Sequence, residues 1–417
     1  EINAKFQNKR ARKSGTSKTA TATSGLFEDI NKGAGQCGFG RRRRRETLVR
    51  ERDRRRRQLQ QQQHAKLLAA PSGGLFRWRQ ATAAAAAPVT AALVAISGIR
   101  MAASEERTYP TTLEGFGYGF NEEGKLRQLD KDTGKLTDRV FDYQVYTSLS
   151  ENQAHYEALG DVITQYVYER LEEKEGLKKL YVPADVPPEE ATFVFSTVEK
   201  LDRPKKLLVL IHGSGVVRAG QWARSLIIND CLDSGTQIPY IRRGRELGYE
   251  VLLLNTNDNY RTVKGARKPI RGSRNPTEHA VTVLEQYILA SRPESVAIVA
   301  HSYGGVVTVE LAQRFPDFFR DKVFAVGFTD SVHASSLVPE ALKKIGRNWV
   351  TAKDPLDTPL TITKHDIPRH SAGHIKHEMT SYSCMSALFE FLESRYAEFR
   401  TNRGDEPRSK KAKGDEL

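Results

Sequence analysis

Val296-Ala297-Ile298-Val299-Ala300-His301-Ser302-Tyr303-Gly304-Gly305 is an apolar run that stops abruptly at a serine hemmed in by small residues. A strand buried on both faces reads as such a continuous run, without polar alternation. Ala300 and Gly304 lie two positions either side of Ser302, where bulk would clash in a tight strand-to-helix turn. This is the nucleophile-elbow pattern with Ala in place of its first Gly. The competing reading is an ordinary Ser-Tyr-Gly-Gly turn into a helix.

A second run, Leu207-Leu208-Val209-Leu210-Ile211, ends in His212-Gly213-Ser214-Gly215. In α/β-hydrolases the loop after an early strand supplies one oxyanion-hole N–H, and the residue after the nucleophile supplies the other. Glycines there let the backbone approach a developing oxyanion closely. The donors would come from Gly213, Ser214 and Tyr303. Either motif alone is weak; two in this chain order, each closing a buried-strand run, favour the elbow.

The surrounding pattern agrees. A hairpin is predicted where Phe116, Tyr118 and Phe120 precede the Asn121-Glu122-Glu123-Gly124 turn. Tyr156, Leu159, Ile163, Tyr166, Val167 and Leu171 give residues 151–174 one apolar helical face, stopped by Gly176. Strands are predicted at 191–196, 207–211, 249–255, 295–300 and 322–329, with a short one at Trp349-Val350. Helices alternate with them at 277–290 and 304–315, and a last one begins at Met385. Asn275-Pro276-Thr277-Glu278 is a helix start, with a capping side chain, Pro first and Glu third. Such alternation implies an α/β fold, α/β-hydrolase-like, with a mostly parallel sheet and helices on both faces.

The net charge of +14 belongs to the first hundred residues. Residues 1–100 hold 22 basic and 6 acidic side chains; the remainder holds 43 and 45, a net of −2. The folded part therefore offers no general nucleic-acid-binding surface. The leader, with Arg41–Arg45, Arg54–Arg57, a Gln run and Ala81–Ala92, is too poor in apolar side chains to fold and is expected to be disordered. It reads either as a nuclear-localisation or nucleic-acid tail, or as an extension misassigned upstream of a natural start at Met101. The folded domain spans 110–400, and 401–417 is a charged tail. Cys37, Cys231 and Cys384 are too few and too scattered for a disulfide framework or zinc site; no cofactor or metal is expected. No run is long and apolar enough for a transmembrane helix.

An elbow serine needs a base, and the base an acid to fix its tautomer, in the chain order Ser, acid, His. His377 is the preferred base because it lies just before the last helix; His374 is second, and His333 follows its strand too closely. Asp330, at the end of the 323–329 strand, is the preferred acid, with Asp357 the alternative.

His212-Gly213-Ser214-Gly215-Val216-Val217-Arg218-Ala219-Gly220-Gln221-Trp222, Asp233-Ser234-Gly235-Thr236-Gln237-Ile238-Pro239, Thr329-Asp330-Ser331-Val332-His333 and Ser371-Ala372-Gly373 together resemble the Argonaute-binding-protein-two (Arb-two) domain family, in its animal cotranscriptional-regulator branch. The resemblance covers about residues 110–400. It implies a nuclear and cytoplasmic scaffold that joins an Argonaute protein to chromatin and splicing factors, in RNA-mediated silencing, heterochromatin and alternative splicing. The segment Arg261–Arg274 is short where animal relatives carry a longer charged loop. The terminal Gly414-Asp415-Glu416-Leu417 resembles an endoplasmic-reticulum retrieval signal. Two function classes follow: an interaction scaffold, or an active serine hydrolase on an ester, thioester or amide.

Overall fold

The computed structural model describes residues 108–361 and 365–404. The Arg-rich leader and the tail beyond 404 lie outside the described residues. The hairpin forms as read: β1 (Tyr118–Phe120) pairs antiparallel with β2 (Leu126–Gln128). Helix α1 (Leu149–Glu173) starts at Ser148, whose hydroxyl accepts from the Glu151 amide. Its Leu159, Ile163, Val167 and Leu171 are fully buried, as their spacing requires. Gly176 follows in the left-handed conformation, φ 66°.

Then come β3 (Lys178–Val182), β4 (Thr192–Ser196) and β5 (Leu207–Ile211). Three short helices, α2 (Arg224–Asn229), α3 (Leu232–Gly235) and α4 (Ile238–Glu246), lead to β6 (Glu250–Leu253). A small exposed hairpin, β7 (Tyr260–Val263) with β8 (Ala266–Pro269), precedes α5 (Pro276–Val283). The Asn275 side chain caps α5 by accepting from the Glu278 amide at 2.9 Å. The predicted 277–290 helix is not uniform: Leu284–Leu289 continue as a π-helix. The rest of the chain carries β9 (Val296–His301), α6 (Tyr303–Arg314), α7 (Pro316–Asp321), β10 (Val323–Thr329), α8 (Glu340–Ile345), β11 (Gly346–Val350), β12 (Arg369–Ser371), α9 (Thr380–Ser383) and α10 (Met385–Asn402).

Eight strands form one sheet in the order β12-β11-β10-β9-β5-β6-β4-β3. The six from β12 to β6 run parallel, while β4 and β3 add an antiparallel edge. Alternate side chains of each strand serve opposite faces. Leu208, Leu210, Val251, Ala297, Val299 and Phe324 pack with α1, α4 and α10 on one side. Leu207, Val209, Ile211, Ile298, Ala300 and Val326 pack with α5, α6, α7 and α8 on the other. This double burial explains why β5, β9 and β10 read as solid apolar runs: every residue in them is buried. Each large side chain so buried contributes about 1.5–3 kcal/mol. The fold is α/β-hydrolase-like. Among the described residues no helix is long and apolar enough to cross a membrane.

Candidate active site

The chain leaves β5 towards β6 on one side and leaves β9 towards β10 on the other. Their carboxyl ends therefore border the switch-point crevice, where open α/β sheets bind ligands. The two signature loops meet there. A Cβ placed on Gly213 would lie 3.1 Å from Ser302 Cβ and 3.5 Å from its Oγ.

Ser302 joins β9 to α6 with φ 52° and ψ −116°, a conformation that disfavours L side chains and persists only when its surroundings over-determine it. Here its amide donates to the Thr329 carbonyl at 3.0 Å, and its carbonyl accepts from the amides of Gly305 (3.1 Å) and Val332 (3.3 Å). Gly304 must be glycine for space rather than for φ: a Cβ would sit 2.6 Å from the Ile211 carbonyl oxygen and 2.9 Å from that of His212. Tyr303 is the first residue of α6, so its amide has no intrahelical acceptor. Gly213 is buried and Ser214 exposed in the facing loop. Asn257 Nδ2 fixes that loop by donating to the carbonyls of Gly213 (2.9 Å) and Val217 (3.1 Å).

Asp330 ends β10 in the left-handed region, φ 47°. Its Oδ2 lies 2.8 Å from His377 Nδ1. A carboxylate accepts only, so Nδ1 carries the proton and Nε2 is left with its lone pair. His377 begins the turn His377–Met379 ahead of α9, held by Thr380 Oγ1 donating to its carbonyl at 2.8 Å. Burial alone would lower the His377 pKa, but the Asp330 hydrogen bond and charge outweigh it and raise it above the usual histidine value. Ser302 Oγ itself does not cap α6.

The structure thus brings together Ser302, Gly213, Tyr303, Asp330 and His377 at one crevice edge, and separates the alternatives. Asp357 accepts from Trp349 Nε1 at 2.8 Å and lies 3.0 Å from His370 Nδ1, so its carboxylate is engaged by groups other than His377. His374 Nδ1 accepts from the Lys376 amide at 3.0 Å, a local turn contact.

Two features escaped the sequence reading. His301 is buried, with its ring centroid 4.8 Å from that of His377 and its Nδ1 3.0 Å from the Thr329 carbonyl. Burial, then the neighbouring His377, pushes its pKa down to about 3, so it stays neutral. Preceding an elbow serine was its only signal. The second is a hydrogen-bonded series beside the site: Ser331 Oγ lies 2.6 Å from His333 Nδ1, and His333 Nε2 lies 3.0 Å from Asp366 Oδ1. The His333 side chain is only 3% exposed. Ser331 lacks an elbow and a helix N-terminus, and a Cβ on Gly305 would fall 1.7 Å from its hydroxyl. The series braces the turn that follows Asp330. Among the described residues no group of three or more His, Cys, Asp or Glu side chains is arranged to hold a metal ion.

With this geometry in hand, the Arb2 domain matches residues 109–356, a stretch that holds Ser302 and Asp330 while His377 follows it. The mouse cotranscriptional regulator ARB2A is 40% identical over 341 residues, which cover 68% of this chain and 80% of that protein. A FAM172 family protein homologue of Caenorhabditis elegans is 35% identical over 305 residues, covering 69% of this chain and 90% of that protein. Among solved structures, a histone deacetylase from Saccharomyces cerevisiae aligns with a TM-score of 0.39 at 12% identity, over 58% of this chain and 98% of that one. The naproxen esterase of Bacillus subtilis aligns with a TM-score of 0.24 at 13% identity, over 40% of this chain and 50% of that one.

Proposed function

The chain belongs to the Arb2 domain family, and from that premise we propose that it is a nuclear cotranscriptional regulator. In this reading its α/β-hydrolase-like domain is a scaffold linking an Argonaute protein and small-RNA machinery to chromatin and alternative splicing. The observation that carries the regulatory part is the 40% identity over 341 residues to the mouse cotranscriptional regulator ARB2A. The Argonaute, chromatin and splicing links rest on the Arb-two resemblance of the motifs around Gly213 and Asp330. The test is affinity purification of the full chain from nuclei of its own cells. An Argonaute should co-purify, equally with wild type and with Ser302→Ala. Recovery of folded protein without any Argonaute would reject the link.

A second reading is favoured by one specific observation, the strained Ser302 directly after His301, whose ring lies 4.8 Å from that of the Asp330-paired His377. It is an active serine hydrolase on an ester, thioester or amide. Ser302 Oγ attacks the acyl carbon, and its proton passes to His377 Nε2. Asp330 holds the imidazolium that forms, and amides from Gly213 or Ser214 and from Tyr303 bind the oxyanion. His377 then protonates the leaving group, and water, deprotonated by His377, releases the acid and restores Ser302. A fluorophosphonate probe should label wild type and not Ser302→Ala, and His377→Ala should label about a hundredfold more slowly or worse. Unlabelled, folded wild type would reject this reading and leave the scaffold.

A further inference from the structure

Two cavities of about 190 Å³ and 390 Å³, neither lined by Ser302, adjoin and share Arg218, Asp258 and Arg261 as lining residues. The smaller also touches Tyr260 and Arg267 of the β7–β8 hairpin. The larger also holds Asp161, and in the smaller three arginines face one carboxylate, Asp258. That carboxylate is fully committed: Arg261 binds it through two nitrogens at 2.5 and 2.6 Å, and Thr192 Oγ1 donates to it at 2.6 Å. Burial would raise the Asp258 pKa, but Arg261 and Thr192 hold it below the usual carboxylate range.

The other two guanidinium groups have no such partner among the described residues. Arg218 uses only Nη1, donating to the carbonyls of Val216 and Val217. Arg267 lies over the Tyr260 ring, 4.2 Å from its centroid, which pre-orients it without consuming its charge. The hairpin and its return reinforce this field: residues 260–274 contain six basic side chains and no acidic one. Two uncompensated guanidinium groups at one cavity match a dianion better than a monoanion, and their forked donors suit phosphate oxygens. The larger cavity adds Tyr168, Phe193 and Val216, which offer ring and aliphatic surface to the body of the same molecule, beside the polar Asp161, Thr164 and Gln165.

We propose that the Arg218–Arg267 cleft is a binding site for a small phosphomonoester with an aromatic or apolar body. The site uses no atom of Ser302, His377 or Asp330, so it stands whether or not the chain is a hydrolase.

Titration calorimetry of the full chain with phenyl phosphate, inorganic phosphate and benzoate tests it. Phenyl phosphate should bind, and more tightly than either fragment. Arg218→Gln and Arg267→Gln should each weaken it about tenfold or more, while Ser302→Ala leaves it unchanged. Arg267 is exposed on the hairpin, so its variant keeps the test open should Arg218→Gln not fold; thermal midpoints verify folding. Absence of phenyl phosphate binding at millimolar concentration would overturn the proposal. So would equal affinity in a folded Arg267→Gln variant, or binding of a short single-stranded oligonucleotide that displaces phenyl phosphate and is much tighter, which would make the occupant a polymer backbone.

Discussion

Gly304→Ala adds one methyl group where β5 and α6 come closest. That carbon would lie 2.6 Å from the Ile211 carbonyl oxygen, 2.9 Å from the His212 oxygen and 3.1 Å from the Ile211 carbonyl carbon. The nearest of these is about 0.8 Å inside ordinary contact, and all belong to backbone in a close-packed sheet, so no rotamer change relieves them. Two effects compete. Alanine in a helix is intrinsically better than glycine by about 1 kcal/mol. Overpacking against fixed backbone costs about 3 kcal/mol, the upper end of its usual range. The net expectation is a loss of about 2 kcal/mol, which lowers the thermal midpoint by roughly 3–4 °C in a domain of this size. Urea unfolding followed by circular dichroism reads this directly, as a lower midpoint at unchanged slope. Glycine 305 is the contrasting control: an alanine there meets the Ser331 side chain, so it must break the Ser331–His333 contact instead. A Gly304→Ala midpoint at or above wild type would refute the close approach of α6 to β5.

Fluorophosphonate labelling should rise with pH, because only neutral His377 accepts the serine proton; its raised pKa puts the midpoint above about 6.5. Asp330→Asn removes the cause, so the labelling rate should fall and the midpoint move down, whereas Asp357→Asn should alter neither; the reverse pattern would exchange the two acids. His212, His279 and His301 are buried, mainly by desolvation held neutral down to about 4, 3 and 3. The unfolded chain binds protons at these positions from about pH 6.5 downwards, so stability should decline as pH falls below that value; a thermal midpoint unchanged between pH 7 and 4.5 would refute their burial. A chain starting at Met101 should unfold at the same midpoint as the full chain, and a truncated form melting many degrees lower would show that the leader supports the fold.

Burial decided what the sequence disclosed. β5, β9 and β10 announce themselves because double-sided burial leaves no room for polar side chains, and their positions were read to within a residue or two. β12 was not, since Arg369-His370-Ser371 is a short edge strand carrying polar side chains. The β7–β8 hairpin was also missed, because its exposed residues have no apolar face to betray a period. At the site, chain order pointed to Ser302 and His377, but the choice between Asp330 and Asp357 depends on which carboxylate meets an imidazole across 47 residues of chain. Nearness to β10 is what argues against His333 as a base. That nearness is what lets it bond Ser331 and, through its other nitrogen, Asp366.

Backbone strain sharpens the same distinction. Six described non-glycine residues have φ in the left-handed region: Arg203, Lys264, Arg292, Ser302, Asp330 and Asp357. Lys264 occupies the tip of the β7–β8 hairpin, where such geometry serves the turn. Ser302 and Asp330 instead end adjacent parallel strands, β9 and β10, whose register sets Thr329 beside His301. Both are clamped from outside their own turns: Ser302 by Thr329 and Val332, Asp330 through its amide to the Trp349 carbonyl at 2.7 Å. Asp357 has comparable strain, φ 62°, yet its carboxylate is spent on Trp349 and His370. Strain by itself therefore does not mark a functional acid. What separates the two is the imidazole each carboxylate meets: Asp357 lies against His370 on the edge strand β12, whereas Asp330 lies against His377, whose ring centroid is 4.8 Å from that of His301, the residue before Ser302.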